Sequence, residues 1–332
     1  MGDAFRALVL DQKDKKVTVE FRNLTTDDLP DGDVLVRVKW STLNYKDGMI
    51  LNGLGRLVRA YPHVPGVDFS GEVVSSSDAR YKPGDEVVLT GWRVGEAHWG
   101  GYGQMARVKA DWLVPLPEGL DAAQAMSIGT AGFTSMLAVM ALEEQGISPK
   151  QDGEVLVTGA AGGVGSVAVS ILSALGYRVA ASTGRAETHA YLRELGATTI
   201  IDRNELTDTS KPLLAERWIG AIDSVGSTTL AHVLSEMKYH GVVAACGLAG
   251  GADLPGTVIP FLLRGVRLIG IDSVMCPYAT RIRAWERLAK ELPIGQLNAA
   301  TTKVALRDVV PWGEKILKGQ IKGRLLIDVQ DC

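Results

Sequence analysis

Residues 1 to about 120 carry short runs of β-branched residues or of alternating apolar and polar residues. Turn-forming residues such as Pro83-Gly84-Asp85 separate these runs. Many short strands with such turns between them are typical of a β-barrel or a β-sandwich. The predicted strands are 4–10, 17–21, 33–40, 70–75, 86–89 and 104–108.

The pattern changes at residues 120–141, where Ala and Met recur at helical spacing after Asp121, a suitable N-cap. From residue 154 onward, short apolar runs alternate with helical segments. Such alternation predicts a parallel sheet with helices on both faces. The predicted strands are 154–158, 177–182, 198–201, 219–223, 241–246 and 266–271, and the helices are 166–175, 186–195, 228–238, 279–291 and 309–318.

The end of the chain returns to the first type of pattern. A last strand is predicted at 323–329, and it resembles the N-terminal strands more than those of the parallel sheet. A chain of 332 residues is long enough for two domains, because single cores stop growing near ~250–300 residues. The predicted domains are residues 1–122 together with 300–332, and residues 123–299 as a central insert.

A glycine-rich turn follows the first strand of the alternating region. Thr158 precedes glycines at 159, 162, 163 and 165, and a helix then begins. Strand, glycine turn and helix form the start of a dinucleotide-binding βαβ unit, in which backbone and helix N-terminus approach a pyrophosphate. The predicted cofactor contacts are Ala161, Gly162, Gly163 and Val164. An ordinary structural turn is the alternative.

The end of the next strand indicates which nicotinamide cofactor is bound. NAD-preferring sites place an acidic residue there, whereas this chain has Thr183-Gly184-Arg185. A hydroxyl, a flexible glycine and a guanidinium suit the 2′-phosphate of NADPH. Arg203, just after the third strand, is predicted to join the same pocket. Solvated surface arginines are the alternative for both Arg185 and Arg203.

Composition and charge exclude several classes of protein. Hydrophobic residues make up 46% of the chain and the net charge is −3, which does not suggest nucleic acid or an anionic membrane as partner. Three widely spaced cysteines, Cys246, Cys276 and Cys332, predict neither a disulfide framework nor a structural zinc. The N-terminus does not resemble a signal peptide, and no window approaches a membrane span of ~20 apolar residues. A cytoplasmic location is therefore predicted.

Five motifs occur in one order along the chain. They are Pro65-Gly66-Val67-Asp68-Phe69-Ser70-Gly71-Glu72-Val73, Lys82-Pro83-Gly84-Asp85-Glu86-Val87, Gly100-Gly101-Tyr102-Gly103-Gln104, the turn at 158–165 and Gly319-Gln320-Ile321-Lys322-Gly323-Arg324. With these motifs the sequence resembles the medium-chain dehydrogenase/reductase superfamily over nearly its whole length. The resemblance implies the α/β class, with a GroES-like, partly open β-barrel catalytic domain and a Rossmann doubly wound parallel sheet that binds the nucleotide.

The sequence departs from the zinc alcohol dehydrogenases of that superfamily. Those proteins carry a cysteine on the early loop and Gly-His-Glu after the proline, whereas this chain has Asn44-Tyr45-Lys46-Asp47 and Gly66-Val67-Asp68. No cysteine precedes Cys246, so the usual ligand set of a catalytic zinc is missing and a metal-free enzyme is predicted. Asp68 is predicted to cap or hydrogen-bond loop backbone.

Longer strings resemble the acryloyl-CoA reductase group, on the quinone oxidoreductase and enoyl-thioester reductase side of the superfamily. They lie at 43–47, 89–92, 95–96, 98–101, 244–251 and 272–275. The resemblance implies NADPH-dependent reduction of acryloyl-CoA to propanoyl-CoA, with a hydride to the β-carbon and a proton to the α-carbon. It also favours a homodimer that joins nucleotide domains edge to edge, for which the strand at 266–271 is the candidate edge.

The early loop supplies the predicted catalytic residues, Asn44 and Tyr45. The Tyr45 hydroxyl is expected to position cofactor or substrate, or to donate the proton; packing at the barrel edge is the structural alternative. The resemblance implies further cofactor contacts at Leu248, Ser273 and Arg324.

Three cations on or after the early loop, Lys46, Arg56 and Arg59, are predicted to meet the phosphates of an acyl-CoA. An ordinary solvated face is the alternative. Glu96 and His98 lie in a glycine- and tryptophan-rich loop and are not predicted to be catalytic. Cys246 is predicted to be a buried small hydrophobe and not a nucleophile.

Two other functions stay open at this point. An NADPH:quinone oxidoreductase shares the fold and the missing zinc. A non-catalytic, crystallin-like protein that binds NADPH belongs to a different class, and the presence of Tyr45 counts against it.

Overall fold

The computed structural model describes residues 2–14 and 16–332, which form two compact units. The first unit contains the described residues up to Thr130, Val274–Ala289 and Leu297–Cys332; the second contains Ala131–Ser273 and Lys290–Gln296. The sequence-based domain bounds at 122/123 and 299/300 stay predictions. The compact units differ from them chiefly in placing Val274–Ala289 with the first unit.

The described residues contain fifteen strands: β1 Ala4–Lys13, β2 Lys16–Thr25, β3 Val34–Thr42, β4 Asp68–Ser76, β5 Glu86–Thr90, β6 Met105–Val108, β7 Leu113–Pro115, β8 Glu154–Val157, β9 Val179–Thr183, β10 Thr199–Asp202, β11 Trp218–Asp223, β12 Met237–Ala245, β13 Arg267–Gly270, β14 Thr301–Ala305 and β15 Arg324–Asp328. The α-helices are α1 Tyr45–Leu51, α2 Ala122–Glu144, α3 Gly163–Ala174, α4 His189–Glu194, α5 Ser227–Ser235, α6 Ile259–Arg264, α7 Tyr278–Glu291, α8 Ile294–Ala299 and α9 Val309–Leu317.

The first unit is built on β-sheet, as the alternating N-terminal pattern predicts. Its seven-stranded sheet runs β14-β15-β3-β4-β5-β7, with β6 also paired to β3, and β1 and β2 form a separate antiparallel pair. The C-terminal strand β15 pairs antiparallel with β3, with Leu326 opposite Thr42. The predicted return of the chain end to the first region is therefore confirmed.

The second unit is a doubly wound parallel sheet, which confirms the predicted class. Its strand order is β10-β9-β8-β11-β12-β13, and every neighbouring pair is parallel. The first strand of the unit, β8, lies at the centre, and its residues Val155, Leu156 and Val157 are fully buried. In this order the carboxyl ends of all six strands meet at one edge, where nucleotides bind in such sheets.

Helix α2 begins where the sequence places it. Asp121 Oδ1 accepts the N–H of Gln124 at 2.7 Å, and Gln124 Oε1 accepts the N–H of Asp121 at 2.9 Å, which is a reciprocal cap.

The expectation that no segment is apolar enough to cross a membrane was wrong, because helix α2 is long and apolar enough to do so. Ala122–Glu144 has a mean hydropathy of 1.6 in its best window, but 89% of that window is buried within the protein. A buried core helix gives the same signature.

Several short elements escape the sequence pattern, namely α1, α6, α8, β7 and β14. Helix α1 replaces a predicted loop. Asp47 Oδ2 accepts the N–H of Asn44 at 2.8 Å, which supports the first turn. A Cβ at Gly48 would lie 2.6 Å from the side chain of Ile316 and 2.9 Å from the carbonyl of Gly313, so α1 packs closely on α9. This tertiary contact stabilises a helix that is too short to be recognised by its own periodicity.

Candidate active site

The glycine turn of the second unit joins β8 to α3. Gly159 has φ +58°, a left-handed conformation that favours glycine. A Cβ at Gly165 would lie 2.6 Å from Ala160 Cα, so only glycine lets the first turn of α3 approach the backbone that follows β8 this closely. Gly162 is the N-cap of α3 and has extended backbone. The turn therefore presents the free N–H groups of a twelve-residue helix, as a pyrophosphate requires.

The residues predicted to bind a 2′-phosphate lie together at the ends of β9 and β10. Thr183 pairs with Asp202 in the sheet, which places Arg203 beside the β9 end. A Cβ at Gly184 would lie 2.8 Å from Arg203 Cζ, so the Arg203 side chain rests on this glycine. Arg185 Nη2 donates to the carbonyl of Ala161 at 3.3 Å, which ties the β9 end to the glycine turn.

Leu248 and Ser273 follow the carboxyl ends of β12 and β13. They therefore lie at the same edge of the parallel sheet as the glycine turn, although Leu248 is 63% exposed. Their roles as cofactor contacts stay predictions.

Sequence reasoning missed Asp223, a fully buried carboxylate at the end of β11. Its Oδ1 accepts the hydroxyl of Thr158 at 2.6 Å, and its Oδ2 accepts the N–H of Gly226 at 2.7 Å. Asp223 thus connects the ends of β8 and β11 beside the glycine turn. Burial raises the pKa of its carboxyl. The available signal was an aspartate that ends an apolar strand before Ser-Val-Gly.

A buried polar group, here called the Asp68 cluster, occupies the first unit and comprises Asn44, Asp47, Asp68, Thr130 and Arg324. Asp68 Oδ2 accepts the Asn44 amide at 2.9 Å and the backbone N–H of Thr130 at 2.7 Å. Its Oδ1 accepts the Thr130 hydroxyl at 2.5 Å. Asp68 therefore hydrogen-bonds backbone as predicted, but this backbone belongs to helix α2 and not to a loop. Burial raises the pKa of Asp68, opposed by these donors and by the charge of Arg324.

Arg324, predicted as a cofactor contact, lies in this cluster and is only 3% exposed. Its Nε donates to the carbonyl of Ser127 at 2.8 Å and its Nη2 to the Thr42 hydroxyl at 2.9 Å. Gly129 interrupts α2 with φ +52°. A Cβ there would lie 2.8 Å from Arg324 Nη2 and 2.9 Å from Asp68 Oδ2, so glycine lets both charged groups approach the helix backbone. A contact of Arg324 with the cofactor stays a prediction.

The second carboxylate of the cluster is Asp47. It is fully buried, and its Oδ1 accepts the N–H of Val67 at 3.0 Å. Burial, followed by the charge of Asp68, raises the pKa of Asp47 to about 7. The amide nitrogen of Asn44 also lies 3.3 Å from Asp47 Oδ2. Both N–H groups of the Asn44 amide thus face carboxylates, so this amide donates within the protein; a catalytic role for Asn44 stays a prediction.

Tyr45 is the first residue of α1 and 45% exposed. Within residues 2–14 and 16–332 its hydroxyl has no hydrogen-bond partner. The hydroxyl is therefore free to meet a ligand, but its role is still a prediction.

The three cations predicted to meet an acyl-CoA differ in their surroundings. Lys46 Nζ pairs with Glu96 Oε1 at 2.8 Å, and Glu96 is almost buried. Arg56 and Arg59 are exposed.

His98, in the glycine- and tryptophan-rich loop, makes a structural contact. Its Nε2 hydrogen-bonds the carbonyl of Arg107 at 2.7 Å.

Burial, followed by the charge of Asp223, raises the pKa of the Cys246 thiol to about 12. A thiol with such a pKa is protonated near neutral pH, which does not favour a nucleophile. Cys246 is partly buried, and not fully buried as the sequence suggests. Across the described ranges, no three His, Cys, Asp or Glu side chains gather as possible metal ligands.

Comparisons with known proteins place this chain in a family. The family described as alcohol dehydrogenase GroES-like domain matches residues 30–118, and the one described as zinc-binding dehydrogenase matches residues 163–290. The acrylyl-CoA reductase AcuI of Ruegeria pomeroyi is 62% identical over 98% of this chain and 99% of its own length. The chain belongs to the medium-chain dehydrogenase/reductase superfamily. Its resemblance to the acryloyl-CoA reductase group is confirmed.

Two further relatives in this superfamily are also similar over nearly their full length. "Probable acrylyl-CoA reductase AcuI" of Escherichia coli is 53% identical, covering 98% of this chain and 99% of the relative. "Putative quinone oxidoreductase YhfP" of Bacillus subtilis is 45% identical with the same coverage.

Solved structures of the superfamily agree with the fold. The yhdH oxidoreductase from Salmonella enterica in complex with NADP has a TM-score of 0.95 and 54% identity, covering 97% of this chain and 99% of that one. Bacillus subtilis yhfP with NAD bound has a TM-score of 0.94 and 45% identity, covering 98% and 99%.

Proposed function

We propose that this protein uses NADPH to reduce the C=C bond of acryloyl-CoA, giving propanoyl-CoA. The 62% identity to an acrylyl-CoA reductase, over 98% of this chain, carries the proposal. The second relative with that name, at 53% identity, supports the same substrate.

The residues at the carboxyl edge of the parallel sheet fit NADPH. The glycine turn and the start of α3 suit the pyrophosphate, and Arg185 and Arg203 suit the 2′-phosphate that distinguishes NADPH from NADH. The Salmonella enterica relative was solved in complex with NADP, which supports this choice. When bound, NADPH supplies the hydride.

The chain must stabilise the negative charge that develops on the thioester oxygen once the β-carbon has received a hydride. Hydrogen-bond donors of the protein are suited to this task. The Asn44 amide already faces two carboxylates, whereas the Tyr45 hydroxyl has no partner among the described residues. We assign Tyr45 to positioning the substrate or cofactor through this hydroxyl, with proton donation as the alternative role.

Tyr45→Phe tests this assignment, because it removes only the hydroxyl. We expect kcat/KM for acryloyl-CoA to fall about tenfold, as loss of one hydrogen bond at a reacting group would give. Tyr239→Phe is the control, because Tyr239 is an exposed tyrosine on β12. If kcat/KM for acryloyl-CoA is the same in both variants and in the unaltered protein, the Tyr45 hydroxyl does not act in the site.

A side-by-side assay of NADPH oxidation tests the function. Acryloyl-CoA, crotonyl-CoA and a benzoquinone are offered at equal concentration, and acryloyl-CoA is expected to have the highest kcat/KM. Reduction of the quinone alone would contradict the proposal. That outcome would favour the second candidate, an NADPH:quinone oxidoreductase, which the similarity to the Bacillus subtilis relative supports. Absence of turnover with all three would favour a non-catalytic NADPH-binding protein.

We also propose that two copies of the chain pair through β13. This strand ends the parallel sheet, so one of its edges has no strand beside it among the described residues. Val258, Leu262 and Leu263, just before β13, are exposed apolar side chains, and Leu262 is 74% exposed. A second copy would cover them. Sedimentation of Leu262→Asp/Leu263→Asp should show a monomer where the unaltered protein is a dimer; a monomeric unaltered protein would contradict this.

A further inference from the structure

Three exposed arginines lie in two loops of the first unit: Arg56 and Arg59 in residues 52–67, between α1 and β4, and Arg93 in residues 91–104, between β5 and β6. None of their guanidinium groups makes an ion pair or a hydrogen bond with another described residue. Other arginines of the same unit are paired: Arg80 pairs with Asp78 and Asp111, and Arg107 donates to the carbonyls of Thr26 and Leu29. These three are therefore available to an anionic ligand.

Glu96 brings the two loops together. Its carbonyl accepts the N–H of Arg59 at 3.3 Å, and its own N–H donates to the carbonyl of Arg93 at 3.2 Å. Arg56 precedes Arg59 by three residues. The Glu96 carboxylate pairs with Lys46 at 2.8 Å, so these two charges cancel and the three guanidinium groups are left uncompensated. The positive surface thus lies beside the first turn of α1, which carries Tyr45.

Two of the three arginines have backbone φ angles that are unfavourable for a residue with a Cβ. Arg56 has φ +48° and Arg93 has φ +61°, and Trp92 next to Arg93 has φ +56°. Glycine adopts this left-handed region without a steric cost, whereas residues with a Cβ do not. Strained residues of this kind concentrate at ligand sites.

Contacts of Trp92 hold the loop that carries Arg93, residues 91–104, in this conformation. The N–H of Trp92 donates to the carbonyl of Val274 at 2.9 Å, and the Arg281 guanidinium lies 4.9 Å from the centre of the Trp92 ring. Arg281 Nη1 also donates to the carbonyl of Thr90 at 2.7 Å. The surrounding contacts therefore fix the backbone from which Arg93 extends.

We propose that Arg56, Arg59 and Arg93 bind the phosphates at the adenosine 3′,5′-bisphosphate end of the acyl-CoA substrate. This inference rests on the proposed function. Guanidinium groups bind phosphate oxygens with paired N–H donors, and the nucleotide end of CoA carries a pyrophosphate and a 3′-phosphate. The site adds Arg93 to the residues expected from sequence. It removes Lys46, whose charge is compensated by Glu96.

Arg93→Gly tests the site, because glycine keeps the left-handed backbone while the guanidinium is lost. The variant is assayed with acryloyl-CoA and with S-acryloyl-N-acetylcysteamine, which has the same thioester without the nucleotide. We expect KM for acryloyl-CoA to rise about tenfold, with kcat, KM for NADPH and the kinetics of the truncated thioester unchanged. Arg59→Ala should show the same pattern. Arg193→Ala, an exposed arginine on α4, is the control and should change none of these values.

An unchanged KM for acryloyl-CoA in Arg93→Gly, or an equal rise for both thioesters, would overturn the assignment. Calorimetry separates this result from a failure of the proposed function. Adenosine 3′,5′-bisphosphate is titrated into the protein saturated with NADP⁺, so that the glycine turn is already occupied. Binding that weakens about tenfold in Arg93→Gly supports the phosphate site even if acryloyl-CoA is not reduced. Binding that is equal in both proteins, or absent in both, overturns the site even if acryloyl-CoA is reduced.

Discussion

The glycine turn and the Asp68 cluster depend on different kinds of residue. The turn provides backbone that a ligand can approach, whereas the cluster buries charged side chains. In the turn, residues 158–165, the backbone itself forms the predicted ligand site. These consecutive residues supply nearly all of that site. The Asp68 cluster buries two carboxylates and a guanidinium, and its members come from residues 44–47, 68, 130 and 324. Ligand-binding backbone can therefore be recognised in a short stretch of sequence, whereas a buried charge network depends on segments that meet only in the folded chain.

The largest expected effect comes from breaking the Asp68 cluster. Asp68→Ala removes the buried carboxylate that accepts from Asn44 and Thr130 and that offsets the buried charge of Arg324. We expect the free energy of unfolding to fall by about 3–5 kcal/mol, as when one partner of a buried charge network is removed. Urea denaturation measures this value. Asp152→Ala, which removes a solvent-exposed carboxylate, is the control and should leave stability nearly unchanged. A similar small effect for both variants would show that the cluster does not stabilise the fold.

The next effect concerns backbone in the glycine turn. Gly165→Ala places a methyl group 2.6 Å from Ala160 Cα, so the start of α3 must move away from the backbone that follows β8. We expect the Kd for NADPH, measured by fluorescence titration, to rise between about tenfold and 100-fold. Gly295→Ala is a matched substitution, because nothing lies within 4 Å of the added methyl group. An unchanged Kd in Gly165→Ala would mean that this close approach is not needed for cofactor binding.

The pH dependence of stability distinguishes the two regions further. Folding raises the pKa of Asp47 from its ordinary value of 3.8 to about 7. The folded state therefore binds more protons than the unfolded state between these values, so stability falls as the pH rises through this window and levels off above it. Asp47→Asn lacks this ionisation.

Between about pH 5 and pH 8 we expect the unaltered protein to lose about 2–3 kcal/mol of stability relative to Asp47→Asn. Urea denaturation across that range gives the two profiles. Comparing their slopes removes any constant difference that the amide itself causes. Parallel profiles would mean that Asp47 is ionised in the folded protein throughout this range.

The smallest expected effect is on the KM for NADPH, from substitutions at the carboxyl ends of β9 and β10. Arg203→Ala and Arg185→Ala should each raise KM for NADPH about five- to tenfold and leave KM for NADH unchanged, because only NADPH carries the 2′-phosphate. Steady-state kinetics with both cofactors provide the ratio. Arg193→Ala serves again as control. If neither variant changes the preference between NADPH and NADH, these arginines do not select the cofactor.

The sequence could predict the parts of the site that depend on local pattern. The β8 strand, the Asp121 cap of α2 and the proximity of Arg203 to Thr183-Gly184-Arg185 follow from periodicity, capping and parallel strand order. Helix α1 could not be predicted in this way, because its stability depends on the close packing of Gly48 against α9.

Interactions between distant segments were equally hidden. No local signal shows that Lys46 is neutralised by Glu96, fifty positions further along, or that Arg324 reaches the carbonyl of Ser127. The role of Lys46 follows from its charge and its place on the early loop, and that of Arg324 from family resemblance. Neither line of reasoning identifies the partners that a residue has in the folded chain. Folded geometry is needed to separate a ligand contact from an internal one.

Isotope transfer tests the proposed reaction most directly. Acryloyl-CoA is reduced with NADPH that carries deuterium at both hydrogens of the nicotinamide C4, and the product is analysed by NMR spectroscopy. The reaction proposed here predicts propanoyl-CoA with one deuterium at the β-carbon and none at the α-carbon; the same reaction with ordinary NADPH in D₂O should place deuterium at the α-carbon. Formation of no propanoyl-CoA, or cofactor-derived deuterium at the α-carbon, would contradict the proposed function.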